Sequence, residues 1–319
     1  MRLLITRPLP GAVLEAARAL PVPKLDVVVR DSNTPLDPLE LRAALSEYDA
    51  VLPTLGDVFS SEVFADVDTA RARILANFGV GYNHIDVDGA KDHGIIVTNT
   101  PGAVTDATAD TAMTLMLMSA RRAGEGERLV RSGNWEGWHP TQMLGLHVSG
   151  KTVGIVGMGR IGQAIARRCH FGFGMKVIYA NRSAKQIDFP AEQVALDDLA
   201  QRADIVVTSV PGGAETRHMI NAGFLAAMQP HAHFINIARG DVVDEAALIS
   251  CLEERRIGGA GLDVYEFEPR VPDALAKLDN VTLLPHLGTA ALEVRTDMGL
   301  LAIENLRAHF AGETPPNLV

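Results

Sequence analysis

One hexapeptide constrains this chain more than anything else in it. Residues 157–162 read Gly157-Met158-Gly159-Arg160-Ile161-Gly162, between an apolar run at 152–156 and a stretch carrying Ala164, Ile165 and Ala166. With 29 glycines, a bare GxGxxG would carry little weight. Lodged between a strand and a helix, it describes a turn with a purpose. Gly157 permits the tight bend, Gly159 lets backbone approach a pyrophosphate, and Gly162 lets helix and strand pack closely. Arg160 and Ile161 then open a helix whose free N-terminal amides face the phosphate charge. A dinucleotide-binding Rossmann domain is the expected result.

The flanking pattern says how much sheet surrounds that turn. Short apolar runs at 152–156, 177–179, 205–209, 234–237, 259–263 and 281–284 alternate with helical stretches. An earlier series, at 3–6, 27–29, 50–52, 74–76 and 95–97, does the same. Fully apolar strands separated by helices imply parallel sheets covered on both faces. The expected fold class is α/β, with two doubly wound parallel-sheet domains. One is a flavodoxin-like substrate domain formed by 1–99 and 287–319, and the other is the NAD(P)-binding Rossmann domain at 100–286. Helices at 106–120 and 290–310 are expected to bridge them, the second packing back on the first domain. Asp37-Pro38-Leu39-Glu40 has the spacing of a capping box with proline at the first helical position. Asp244 is a second N-cap, for a helix that Gly258-Gly259 should end. Met113, Leu115, Met116 and Met118 read as the core face of a buried helix. Residues 135–149 form a long stretch without period, of the kind that serves as an interaction arm.

Composition excludes several partners. Asp and Glu number 39 against 29 Lys and Arg, a formal charge of −10, so the chain lacks the basic field that nucleic acid requires. The most apolar window is too short to span a bilayer. Cys169 and Cys251 are the only cysteines and make no disulfide framework, which fits the cytoplasm. The histidines lack metal-ligand spacing.

Strand ends locate the chemistry. In a parallel sheet the residues just beyond each strand share the edge that carries the glycine turn, and ligands bind in the crevice there. That rule gathers Arg239, Asp263 and His286 at one edge. It also places Asn181, Arg182 and Ser183 where an acid would meet the ribose 2′-hydroxyl of NAD, about twenty residues past the turn. An amide, a guanidinium and a hydroxyl suit a 2′-phosphate, so NADP(H) is the preferred cofactor, with NAD(H) also possible. Lys185 stands close enough in sequence to assist.

Six segments together carry a family resemblance over nearly the whole chain: NFGVGYNHID at 77–86, TPGAVTD at 100–106, GMGRIG at 157–162, NIARG at 236–240, GLDVYEFEP at 261–269 and LPHLGTA at 284–290. The chain resembles the D-isomer-specific 2-hydroxyacid dehydrogenases, and within them the glyoxylate/hydroxypyruvate reductase branch. The resemblance implies a catalytic triad of Arg239, Glu268 and His286, the acid being Glu268 rather than Glu266. It implies that Asp263 holds the nicotinamide carboxamide and that Thr105 lies near the nicotinamide ribose. Val210 and Pro211 match the loop under the adenosine half, and Ile237, Ala238 and Gly288, with His286, complete the cofactor contacts. The substrate carboxylate would meet the backbone amides of Val80 and Gly81 together with Arg239, and Leu55 would touch the substrate side chain.

The chemistry so implied is reduction of a 2-oxo acid to a 2-hydroxy acid. Hydride goes to the carbonyl carbon while His286 donates a proton to the oxygen, a task suited to a side chain whose ordinary pKa is about 6.5. Glu268 would orient the imidazole and favour its charged form, and Arg239 would offer paired donors to the carboxylate. A crevice between the domains would close to exclude water. Trp138, in the Trp135–Pro140 run, matches a tryptophan that in this branch reaches the substrate site of the partner subunit, so a homodimer is expected. Two other readings stand beside this one: a reductase of a longer 2-oxo acid such as a 2-ketoaldonate, and a corepressor-like protein that senses NAD(P).

Overall fold

The computed structural model describes all 319 residues. The chain forms two compact units, one of Met1–Val104 with Ala290–Val319 and the other of Thr105–Thr289. Each is built on a wholly parallel sheet.

In the first unit the strands are β1 (Arg2–Ile5), β2 (Asp26–Val29), β3 (Ala50–Leu52), β4 (Ile74–Ala76) and β5 (Ile96–Thr98). Their order, β2-β1-β3-β4-β5, is the flavodoxin-like doubly wound order. Leu41, Leu45, Phe59 and Phe64 cover one face, while Val13, Ala17, Ala302 and Leu306 cover the other. The second group joins the helices Gly11–Arg18 and Leu292–Phe310, so the C-terminal helix closes the sheet of its own unit. The two helices meet closely at Gly299, where a Cβ would lie 2.3 Å from the Val13 side chain. The predicted capping box at Asp37 is formed. The Asp37 carboxylate accepts from the Glu40 backbone N–H at 2.8 Å, and Glu40 accepts from that of Asp37 at 2.9 Å.

The second unit contains β6 (Thr152–Val156), β7 (Lys176–Ala180), β8 (Ala191–Gln193), β9 (Ile205–Thr208), β10 (His233–Asn236), β11 (Gly259–Leu262) and β12 (Val281–Leu283). Their order is β12-β11-β10-β9-β6-β7-β8. The chain leaves β6 toward β7 and β8, then returns to lay β9 on the opposite side of β6. That reversal, between β6 and β9, is the switch point at which such sheets bind ligands. Leu199, Phe224, Leu248 and Leu252 pack on one face, and Leu115, Met116, Ile165 and Cys169 on the other. Met113 and Met116 are therefore core side chains, each such burial contributing about 1.5–3 kcal/mol.

Four local expectations change. The edge strand β8 carries no apolar run and escaped notice, because an edge strand needs only one buried face. The helix capped by Asp244 ends at Glu253, short of Gly258-Gly259. Arg255 takes the left-handed conformation there (φ 54°), and the two glycines instead lead into β11 beside the His233 ring. The helix Thr105–Ala120 does not bridge the units but lies wholly in the second, packed on β10, β11 and the helix Arg160–Phe173. A further helix, Ala123–Arg131, precedes the irregular arm and buries none of its residues.

Candidate active site

Arg239, Asp263 and His286 follow β10, β11 and β12, three adjacent strands of one parallel sheet. The turn at Arg239 is shaped mainly by its own sequence neighbours, and those at Asp263 and His286 by bonds between distant segments. After β10, buried Asn236 organises the turn. Its Oδ1 accepts from the Ala238 amide at 3.0 Å and from Thr208 Oγ1 at 2.8 Å, while Nδ2 donates to the Arg239 carbonyl at 2.9 Å. Arg239 then turns its Nη1 to the Ala238 carbonyl at 2.7 Å. Burial lowers the pKa of its guanidinium, against the opposing pull of Glu268 and Asp241. A cation held in that condition has incomplete compensation and favours an anionic ligand.

After β12 the backbone of His286 is left-handed, φ 54°, a conformation that costs a histidine energy and clusters at functional sites. Asp263 enforces it. The Asp263 carbonyl accepts from the His286 amide at 3.0 Å, and its two carboxylate oxygens accept from the amides of Leu287 at 2.6 Å and Gly288 at 2.8 Å. Burial raises the Asp263 carboxyl despite those bonds.

The third member comes from the loop after β11. Glu268 Oε2 lies 2.9 Å from His286 Nδ1, and its Oε1 accepts from the Tyr265 amide at 3.1 Å. Burial alone would raise the Glu268 carboxyl. The hydrogen bond and charge of His286, with the Tyr265 amide and Arg239, outweigh it and hold the group below its ordinary range. Since Nδ1 is engaged, Nε2 is the nitrogen left to face a reacting group. The loop sits this close because Gly240 lacks a side chain: a Cβ there would fall 1.9 Å from the Tyr265 carbonyl. Glu266 points elsewhere, to His218 at 2.8 Å and Arg217 at 3.3 Å.

The glycine turn lies farther along the same edge. Gly157 has φ 97°, and a Cβ would strike Val210 at 2.7 Å, so Val210 and Pro211 after β9 border the turn. Gly162 presses on the Gly157 carbonyl, whereas a Cβ at Gly159 would enter open space. The helix Arg160–Phe173 begins without a side-chain cap. An open backbone face beside uncapped helix amides fits a pyrophosphate. Asn181 supports this turn directly, its Oδ1 accepting from the Met158 amide at 3.1 Å while Nδ2 donates to the Ser183 carbonyl at 2.7 Å.

Comparison with known proteins gives the family. The family described as "D-isomer specific 2-hydroxyacid dehydrogenase, NAD binding domain" matches residues 113–288, more than half of the chain. The chain belongs to the D-isomer-specific 2-hydroxyacid dehydrogenases. It is 47% identical to the glyoxylate reductase of Pyrococcus horikoshii over 86% of this chain and 84% of that protein. It is 44% identical to the glyoxylate reductase of Thermococcus onnurineus over 100% of this chain and 95% of the other. Among solved structures, the NADPH-dependent glyoxylate/hydroxypyruvate reductase of Sinorhizobium meliloti, in complex with citrate, is 36% identical with a TM-score of 0.85. That match covers 100% of this chain and 97% of the other. This dehydrogenase is accordingly an NAD(P)-dependent oxidoreductase.

The remaining predicted residues of the dehydrogenase fall in three places. Leu55, Val80 and Gly81 are in the first unit, on loops after β3 and β4. There the carbonyls of Gly79 and Gly81 accept from Asn77 Nδ2, and that of Val80 from Asn99 Nδ2. The amides of Val80 and Gly81 have no acceptor in the chain, so the loop presents two adjacent donors. Thr105 opens the helix Thr105–Ala120. Ile237 and Ala238 lie in the turn that Asn236 shapes. Trp138 is 80% exposed on the arm, far more open than a residue of a finished pocket within one chain.

Three residues of the second unit escaped the sequence reading. Tyr265 donates its hydroxyl to the Leu284 carbonyl at 2.8 Å while its amide holds Glu268, joining the two loops that carry the acid and the histidine. Asn236 is the second. The third is Glu215, whose carboxylate meets Arg182 at 2.8 Å. A tyrosine inside the GLDVYEFEP run and an asparagine opening NIARG were visible as motif members, but nothing local showed their bonds.

Proposed function

We propose that this dehydrogenase is an NADPH-preferring reductase of small 2-oxo acids, glyoxylate and hydroxypyruvate, that makes the corresponding 2-hydroxy acids. The observation that carries the proposal is the 2.9 Å His286–Glu268 pair at the sheet edge that also holds half-buried Arg239. The reductases named above lend the substrate class, and the Sinorhizobium meliloti enzyme is titled NADPH-dependent.

The geometry supports a division of labour. Bound at the glycine turn, a reduced nicotinamide dinucleotide supplies the hydride. Arg239 pairs its planar donors with the substrate carboxylate, and the adjacent, unengaged amides of Val80 and Gly81 are donors of a kind that also suits a carboxylate. His286 gives the proton on Nε2 to the carbonyl oxygen as negative charge grows there. Glu268, ionised because His286 and Arg239 hold its carboxyl low, fixes the ring through Nδ1. Asp263 acts through the Leu287 and Gly288 amides, keeping the His286 turn in shape, and retains acceptor capacity for a carboxamide.

The dehydrogenase acts as a homodimer on this reading. Val130, Trp135, Trp138 and Leu144 expose apolar side chains along one stretch of chain, the kind of surface that a second subunit covers. Trp138 would then serve the partner's substrate site. No helix is long and apolar enough to cross a membrane. Both cysteines are free and buried, with the Cys169 thiol pushed up to about 12 by burial, which suits a reducing cytoplasm.

The test is absorbance loss at 340 nm with glyoxylate and with hydroxypyruvate, each with NADPH and NADH. Rapid oxidation of NADPH over NADH is the expected result. Turnover with NADH alone would overturn the cofactor preference and keep the reaction. Turnover only with longer 2-oxo acids would replace the substrate.

A further inference from the structure

The cofactor preference above treats Arg182 as a free cation waiting for a phosphate. The structure gives it a partner. Arg182 stands two residues beyond β7, and Glu215 lies in the loop after β9, in a turn closed by the Thr216 hydroxyl on the Pro211 carbonyl at 2.7 Å. The strands β7 and β9 do not touch, because β6 runs between them and ends in the glycine turn. Neighbouring strands are about 4.8 Å apart, so the two backbones are separated by about twice that distance. Two extended side chains close the gap: Arg182 Nη1 meets Glu215 Oε2 at 2.8 Å. Arg182 is 88% exposed and Glu215 82%, so the pair arches over the end of β6 with solvent around it.

We propose that Glu215 is a specificity-determining residue for the cofactor, holding Arg182 as a counter-ion across the glycine turn until a 2′-phosphate displaces it. The proposal rests on the reading of Asn181, Arg182 and Ser183 as the 2′ end of the adenosine site. A guanidinium carries a single positive charge, so a carboxylate held on Nη1 lessens what Arg182 can offer a phosphate. A phosphate with nearly two negative charges outcompetes a single carboxylate, while the neutral diol of NADH has nothing with which to compete and leaves the pair closed. Glu215 therefore taxes NADPH and spares NADH. The tax is small, because an exposed ion pair is weak and screened by salt.

Direct titration of cofactor fluorescence tests this without turnover, with wild type, Glu215→Gln, Arg182→Ala and the double variant. Glu215→Gln is expected to tighten NADPH about two- to fivefold, with NADH unchanged and the gain shrinking in high salt. In the Arg182→Ala background the same change should do nothing, since Glu215 acts through Arg182. An equal gain in both backgrounds would overturn the counter-ion role in favour of direct repulsion. No gain from Glu215→Gln, with NADPH weakened by Arg182→Ala, would overturn the role of Glu215 and leave the NADPH reading standing. If neither variant alters NADPH binding, the reading of the 2′ end fails and the proposal fails with it.

Discussion

Two histidines sit at opposite edges of the same seven-stranded sheet, and they have been given opposite characters. His286 follows the carboxyl end of β12, strained in backbone and paired with a carboxylate. His233 opens β10 at the amino end, where it meets the Ser119 hydroxyl at 2.8 Å with glycines 258 and 259 packed against its ring. Burial, reinforced by the charge of His231, pushes His233 down to about 4, so it is neutral through the physiological range. A hydroxyl can satisfy an imidazole but brings no opposing charge, whereas a carboxylate brings both a hydrogen bond and a charge. At the amino edge the polar groups bond to one another. At the carboxyl edge Asn236, Asp263 and Tyr265 bond to the turns they hold, while His286 keeps Nε2 open.

That contrast is broken most severely by removing the proton donor. His286→Gln is expected to lower kcat about 10²- to 10⁴-fold with the substrate KM little changed, measured by steady-state reduction of glyoxylate. A variant with near-normal turnover would show that the carboxyl edge is no more chemical than the amino edge. Arg239→Ala comes next. It should lower kcat/KM roughly a hundredfold by weakening the 2-oxo acid, while the cofactor dissociation constant from fluorescence titration stays within about twofold. Equal loss of both affinities would move Arg239 out of the substrate site and into the support of the fold.

The smallest effect sharpens the other side. The folded His233 pKa lies below its ordinary 6.5, so the unfolded chain takes up the proton first as pH falls. Stability attributable to His233 is full above about pH 6.5, declines as pH drops toward 4, and levels off about 3 kcal/mol lower. Urea melts across that window should show a shallower pH slope for His233→Gln than for wild type, and kcat at pH 7.5 should stay within about twofold. A parallel slope would remove His233 as a source of acid lability.

Where the sequence was legible, the information was local. The capping box at Asp37 needs only the next three residues, and it formed with Pro38 at the first helical position. The strand-turn-helix at 152–166 is similarly self-contained, as is the apolar repeat of the helix Thr105–Ala120. Where the reading changed, a long-range contact had decided the matter. Gly258-Gly259 has the composition of a helix stop, yet it serves the His233 ring and the entry to β11, while the helix ends at Glu253. Asn181 has the composition of a phosphate reader, and it also braces the turn, through Oδ1 to the Met158 amide and one Nδ2 hydrogen to the Ser183 carbonyl. Arg182 beside it has a partner, Glu215, that is 33 residues away.

The sequence by itself determined the two series of alternating elements, the family, and the residue types at the strand ends, because hydrophobic period, capping and turn chemistry act within a few residues. Only tertiary structure decided which of those residues meet. The order β12-β11-β10-β9-β6-β7-β8 sets His286, Asp263 and Arg239 on adjacent strands and makes Arg182 and Glu215 neighbours across a third. Strand order is fixed by burial of both sheet faces over the whole unit, a condition no single stretch of chain contains.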